Sequence, residues 1–247
     1  MLGYGGRILF IDLTSATSQI EPFDGAFARH YLGGNGFAAK LLYDRLRPGI
    51  DPFDPDNMIV FAVGPITDTT VVGNSRACVA SKSPLTGLFF DSTFGGRFPA
   101  TMKRTSFDAI AISGRADRPV YIMVDESGAS IKPAQHLWGM TTIEAVQAIQ
   151  AAEGPEADAV AIGPAGEHLV RYAAIAHYWK NREGLSGRGG IGAVMGAKRL
   201  KALAVRGTRK TEVADAAGLK ALLSESHQPL KTGTAALTGY GTPFLVN

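Results

Sequence analysis

The sequence predicts an α+β fold: a two-sheet base made by duplicating one unit about a pseudo-twofold axis. Two stretches repeat one pattern, a Gly-Gly pair, a short helix and an apolar strand. The first starts at Gly95-Gly96-Arg97-Phe98 and ends in the strand-like residues 108–114; the second starts at Gly189-Gly190-Ile191-Gly192 and ends in residues 201–207. Upstream, each copy has an apolar run ending in Gly-Pro (Gly64-Pro65 and Gly163-Pro164), then an arginine, Arg76 or Arg171, that opens another strand. Strand-like and helical runs interleave irregularly, and strand pairs lie close in sequence, which favours α+β over a doubly wound parallel sheet.

Taken in order, residues 7–13 read as a first strand, ended by the turn chemistry of Thr14-Ser15. Residues 25–32 and 36–46 read as short helices separated by Gly33-Gly34, with Phe37, Leu41, Leu42 and Leu46 at helical spacing. A proline-rich loop at 48–55 precedes a buried strand at 58–63, and residues 76–82 alternate enough to predict a half-exposed strand. Residues 109–113 and 120–124 read as a hairpin about the polar turn Ala116-Asp117-Arg118. Residues 141–153 form a helix capped by Thr141 or Thr142. Residues 159–162, 172–176 and 201–205 supply the strands of the second unit. After Gly207 the character changes. Residues 213–223 have helical periodicity, residues 232–242 read as a glycine- and threonine-rich loop, and the sequence stops inside the apolar run Phe244-Leu245-Val246-Asn247, as a fragment of a longer protein would.

Composition narrows the function. The 247 residues can bury a substantial core, and 30 glycines imply many tight turns and close backbone approaches. A net charge of +3 with no long lysine or arginine run argues against a nucleic-acid surface. The single cysteine, Cys78, excludes an internal disulfide framework and an all-cysteine metal site, and its strand position reads as apolar filler. There is no signal-peptide pattern and no apolar run of the ~20 residues a bilayer span needs, so a cytoplasmic protein without a membrane partner is expected.

The richest motif is Gly184-Leu185-Ser186-Gly187-Arg188-Gly189-Gly190-Ile191-Gly192. Glycines before a helix let a ligand approach unsatisfied backbone N–H groups, and Arg188 can pair bidentately with phosphate. Gly187, Gly189 and Gly192 also satisfy a dinucleotide fingerprint, with Glu212 as its acidic residue. That fingerprint should directly follow a buried strand, whereas residues 178–183 are polar and bulky. Nothing in the spacing assembles a Ser-His-Asp triad.

Together these motifs resemble the N-terminal region of the aldehyde ferredoxin oxidoreductase family, enzymes with a tungsten or molybdenum bis-pyranopterin. The resemblance rests on Gly5-Gly6-Arg7-Ile8-Leu9, Tyr31-Leu32-Gly33-Gly34, Ala62-Val63-Gly64-Pro65, Ser75-Arg76, Lys82-Ser83-Pro84-Leu85-Thr86-Gly87, Gly95-Gly96, His136-Leu137-Trp138-Gly139, Ile162-Gly163-Pro164-Ala165-Gly166-Glu167 and Gly187-Arg188-Gly189-Gly190. It implies a base domain over residues 1–208, on which two pterins lie with magnesium bridging their phosphates, and the start of a helical second domain over residues 209–247. It implies pterin contacts at Arg76, Thr93, Gly95, Gly96, Arg182, Leu185, Ser186, Gly187, Arg188 and Gly189. Two departures stand out: Thr93 replaces a different small or polar residue, and the stretch 181–186 differs in length from the family's shorter form. The resemblance further implies aldehyde oxidation with ferredoxin as electron acceptor, and a second copy of the chain as a potential partner. The family's 4Fe-4S cluster is held by a C-x-x-C-x-x-x-C group and a later cysteine in the other domains; this sequence has neither. A stand-alone pterin-binding scaffold and a dinucleotide-binding protein are the competing readings. His177 reads as packing near the second unit, and Trp138 as a loop anchor.

Overall fold

The computed structural model describes residues 1–245. In the first copy β1 (Arg7–Asp12) and β2 (Thr17–Pro22) form a hairpin, followed by α1 (Gly25–Tyr31), α2 (Asn35–Arg45), β3 (Ile59–Val63), β4 (Arg76–Lys82), β5 (Phe89–Gly95), α3 (Phe98–Arg104) and β6 (Phe107–Ser113). The second copy runs β7 (Val120–Asp125), β8 (Gly128–Pro133), α4 (Thr142–Glu153), β9 (Asp158–Ala161), α5 (Pro164–Glu167), β10 (Ile175–Trp179), β11 (Arg182–Ser186), α6 (Ile191–Ala197) and β12 (Leu200–Val205). The helices α7 (Ala216–Gly233) and α8 (Ala235–Tyr240) follow.

The two six-stranded sheets have the same order, β2-β1-β6-β3-β4-β5 and β8-β7-β12-β9-β10-β11. Each contains one parallel pair, β1 with β6 or β7 with β12, and is otherwise antiparallel. Each parallel pair also carries one extra residue at the same place, Asp108 in β6 and Lys201 in β12.

The sheets pack face to face over one core, where Leu9, Phe61 and Phe94 meet Ile122, Val160 and Leu203. Helices α3 and α6 lie inside this layer, with Phe98, Met102, Val194 and Met195 fully buried. On the outer faces, Phe37, Leu41 and Leu42 of α2 cover Val60, Cys78 and Ala80, while Ala145, Val146 and Ile149 of α4 cover Ala159, Ala161 and Ala202. Strands covered on both faces, such as β3 and the part of β12 after Lys201, therefore read as unbroken apolar runs. Each large core side chain contributes about 1.5–3 kcal/mol by leaving water.

Several expectations need correction. Residues 109–113 and 120–124 do not form a hairpin: β6 and β7 belong to different sheets, and the segment between them crosses from one to the other. β4 is buried from Ala77 to Ser81 rather than half-exposed, because α2 covers one face and the inner core the other. The strand expected at 172–176 lies at Ile175–Trp179, and Arg171 precedes it instead of opening it. The edge strands β2, β5, β8 and β11 carry too many polar or exposed residues for an apolar pattern to reveal them. The helix expected at 213–223 runs as α7 from Ala216 to Gly233 through Pro229, and α8 occupies most of the loop expected at 232–242. No residue of α7 is buried, and Asp215 caps it by accepting from the Gly218 N–H at 2.8 Å. Of the apolar end Phe244-Leu245-Val246-Asn247, Val246 and Asn247 lie outside the described residues. Among the described residues no helix is long and apolar enough to cross a membrane.

Candidate functional site

Sheet register matches the copies residue by residue. Cys78 pairs with Ala62 on one side and Thr93 on the other, as Ala176 pairs with Ala161 and Leu185. Thr93 therefore matches Leu185, and Gly95 matches Gly187. The Gly64-Pro65 and Gly163-Pro164 pairs match as the repeat predicts. The helix starts set Phe98 against Ile191, so Gly96 matches Gly189. Aligning Gly95-Gly96 with Gly189-Gly190 is thus off by one residue, and Arg188 is an insertion without a counterpart. Arg76, across from Gly95, matches Ala174 and not Arg171.

The edge strands β5 and β11 meet in a seam that joins the two sheets. A Cβ on Gly184 would stand 2.6 Å from the Gly95 carbonyl oxygen, and one on Gly189 would stand 2.2 Å from the Phe90 ring, so the strands run in opposite directions. The copies brace each other here. Ser83 Oγ donates to the Gly189 carbonyl at 2.6 Å, and the Arg171 guanidinium donates to the Pro84 carbonyl at 2.9 Å. Within the first copy, Ser75 Oγ donates to the Gly96 carbonyl at 2.5 Å.

Side chains alternate along a strand, so Thr93, opposite Cys78, lies on the outer face, and Leu185, opposite Ala176, does likewise. Both are exposed, as are Phe89 and Glu183, which leaves the seam as an open floor between the areas covered by α2 and α4. The structure brings every residue implied by the resemblance to this floor or its ends. Arg76, Thr93, Gly95 and Gly96 gather toward one end, where Arg182 opens β11; Leu185, Ser186, Gly187, Arg188 and Gly189 lie toward the other. Among the described residues, the guanidinium groups of Arg76, Arg182 and Arg188 make no hydrogen bond or ion pair, and all three are exposed. Ser186 Oγ is buried without a hydrogen-bond partner. Gly96 and Gly189 both have positive φ, +109° and +77°.

The helix starts contribute less than the sequence suggests. α3 and α6 have only seven residues each, and the Gly192 N–H already donates to the Ala173 carbonyl at 3.1 Å. Gly190 is there for space, since a Cβ on it would come within 1.8 Å of the Arg171 carbonyl oxygen. A strand does precede Gly187, but β11 is an exposed antiparallel edge, unlike the buried parallel strand of a dinucleotide fold. Cys78 is buried, and burial pushes its thiol up to about 12, which keeps it unreactive.

Sequence reading missed how Arg97, Trp179 and Asp158 hold the floor from beneath, although His177, read as packing, is indeed buried among them. Arg97 stacks on Trp179 at 4.0 Å and donates to the Pro155 carbonyl at 3.1 Å. His177 is buried against Gly96 and hydrogen-bonds to Asp158 Oδ1 at 2.9 Å. Arg97 sits in the turn before α3 and Asp158, His177 and Trp179 in strands of the second copy, so together they form no sequence motif.

A duplicated two-sheet base whose glycine turns meet at one seam defines a class, and the comparisons with known proteins agree with it. Residues 8–207 match the family model described as aldehyde ferredoxin oxidoreductase, N-terminal domain; the chain belongs to this family. It is 41% identical, over its whole length, to the tungsten-containing aldehyde ferredoxin oxidoreductase of Pyrococcus abyssi and 38% identical to that of Pyrococcus furiosus, and it spans 41% of the length of each. Among solved structures, a chain of the active-site complex BamBC of benzoyl coenzyme A reductase, in complex with 1,5-dienoyl-CoA, matches with a TM-score of 0.88 and 36% identity. That match covers 94% of this chain and 35% of the other.

Proposed function

We propose that this chain is the cofactor-cradling base of a tungsten- or molybdenum-pterin oxidoreductase, with residues 1–208 as the base and residues 209–247 as the opening of a helical second domain. The observation that carries the reading is the seam, an exposed floor with a glycine turn and an unpaired arginine at each end. The residues fit a doubled, phosphate-bearing pterin. Three free guanidinium groups suit phosphate, and the glycines admit close approach.

In this reading Arg76, Thr93, Gly95 and Gly96, joined by Arg182 at their end of the seam, would hold one pterin, and Leu185, Ser186, Gly187, Arg188 and Gly189 would hold the other. The arginines bind bidentately, and Leu185 gives the floor an apolar surface. When bound, the cofactor supplies two-electron redox chemistry at a metal held by its own dithiolene sulfurs; the chain supplies orientation and electrostatics. The whole enzyme oxidises an aldehyde to a carboxylic acid in the cytoplasm, with ferredoxin as acceptor and a 4Fe-4S cluster held outside this sequence.

The test is to produce the chain in a host supplied with tungstate or molybdate, then measure metal by mass spectrometry and pterin by fluorescence of its oxidised form. Bound pterin that falls at least tenfold in an Arg76→Ala/Arg188→Ala variant supports the reading. Pterin-free protein carrying a nicotinamide dinucleotide would sink it.

A further inference from the structure

We infer that His177 is a positioning residue for the turn at Gly96, and that its imidazole takes up a proton when an anion occupies that turn. The inference rests on the reading of the seam as an anion-holding floor. His177 is 1% exposed, and a Cβ on Gly96 would stand 2.5 Å from its Nδ1, so the ring lies directly under the turn. Its Nε2 bonds to Asp158 Oδ1 at 2.9 Å, which fixes the ring plane. Nδ1 is then buried with no hydrogen-bond partner among the described residues.

The charged groups around this ring are few. Asp158 of β9 is fully buried, and its Oδ2 has no hydrogen bond. Arg97, in the turn before α3, comes within 3.9 Å of that oxygen through Nε, and beyond it Glu156 stands 3.5 Å from the same guanidinium. Gln150 adds a donor 3.4 Å from Asp158 Oδ1. Such a half-satisfied buried pair costs free energy, and the fold itself does not need it. By sheet register, Ile59 and Val79 stand at the matching positions of the first copy, both fully buried and apolar. The matching turn at Gly189 rests instead on the Phe90 ring and Ser83 Oγ, neither of which titrates.

With Nε2–H directed at Asp158, a neutral ring presents a bare lone pair on Nδ1 beneath Gly96. A bound anion makes the potential there more negative, and a solvent proton adds to Nδ1. The imidazolium is then held between the Asp158 carboxylate and the ligand, while Nδ1–H becomes a donor toward the turn. No other bond forms or breaks. The two ends of the floor thus differ, one linked to a proton and the other not.

Sulfate is a suitable probe, because it does not itself titrate near neutrality. Calorimetry of the full 247-residue chain with sodium sulfate, in buffers of different ionisation enthalpy, counts protons taken up per anion. The expected result is a net uptake of protons on sulfate binding, with affinity falling several-fold as pH rises. His177→Gln abolishes both effects while sulfate still binds. Ring-nitrogen NMR of the unaltered protein is the second measurement: saturating sulfate converts His177 to the imidazolium pattern. Sulfate binding without proton uptake, or with a neutral-ring pattern retained, overturns this inference and leaves the cradle standing. No sulfate binding at all overturns both.

Discussion

The two copies share a backbone but not a chemistry. Strand order, the single parallel pair and the extra residue in that pair all repeat, yet the extra residue is an acid in one copy and a base in the other. Asp108 pairs with Lys103 at 2.5 Å and accepts from the Gly6 N–H at 2.8 Å. Lys201 pairs with Glu167 and donates to the Met140 carbonyl at 2.8 Å. Gly196 stands where Lys103 stands in the first copy, and only a glycine there lets α5 approach, since a Cβ would meet the Gly166 carbonyl oxygen at 1.9 Å. The arginines differ in origin too, Arg76 from a strand and Arg188 from an insertion. Duplication has kept register, which many residues determine together, while single side chains have diverged wherever a neighbour compensates.

Breaking the buried ion pairs gives the largest expected effect. Asp108→Ala and Lys201→Met each leave a buried charge uncompensated and lower stability by about 3–5 kcal/mol in urea melts. Equal losses would mean that the bulge tolerates either sign, whereas a small loss in one copy would mark that pair as dispensable.

The next contrast is pH-dependent. Lys198 caps α6 where Thr105 caps α3. Burial first, then Arg115, lower its ammonium from 10.5 to about 7, although the Pro55 and Gly114 carbonyls accept from it at 2.7 and 3.0 Å. Between those two values the unfolded chain binds the extra proton, so this residue makes stability rise with pH above about 7. Lys198→Met should remove that rise in melts at pH 7 and pH 9.5, and Thr105→Val should leave it.

A third contrast separates free arginines from a structural one. Arg76→Ala and Arg188→Ala should each weaken pterin retention tenfold or more, about 1.5–3 kcal/mol, with thermal stability nearly unchanged. Arg97→Ala should do the reverse, losing about 1–2 kcal/mol of stability with its Trp179 stack and Pro155 hydrogen bond. The smallest difference lies in the outer helices. Thr141 caps α4 in a reciprocal box with Glu144, whereas Gly34 at the start of α2 offers no side-chain cap. Thr141→Ala should cost about 1 kcal/mol, read as a small drop in melting temperature.

The duplication was legible because a Gly-Pro pair and a glycine turn before a short helix recur in both copies, even though the two Gly-Gly pairs are offset by one residue. The central strands were legible because both of their faces are buried. The edges were not: Thr17–Pro22, Gly128–Pro133 and Arg182–Ser186 pair on one side only and carry polar side chains that leave no apolar period. The apparent hairpin at β6 and β7 misled for a related reason, since adjacency in sequence says nothing about which sheet a strand joins. The floor's glycines and arginines were legible through their turn. Asp158, His177, Arg97 and Trp179 were not, because their meaning exists only once the two sheets meet.

That meeting has a consequence for the chain's architecture. A seam where the same edge strand from each half lies against its twin is the geometry of a homodimer interface closed within a single polypeptide. The link between the halves, at residues 114–119, contributes no strand to either sheet. Cut there, the two pieces should reassemble when co-expressed, and either piece alone should seek its own copy across the bare edge.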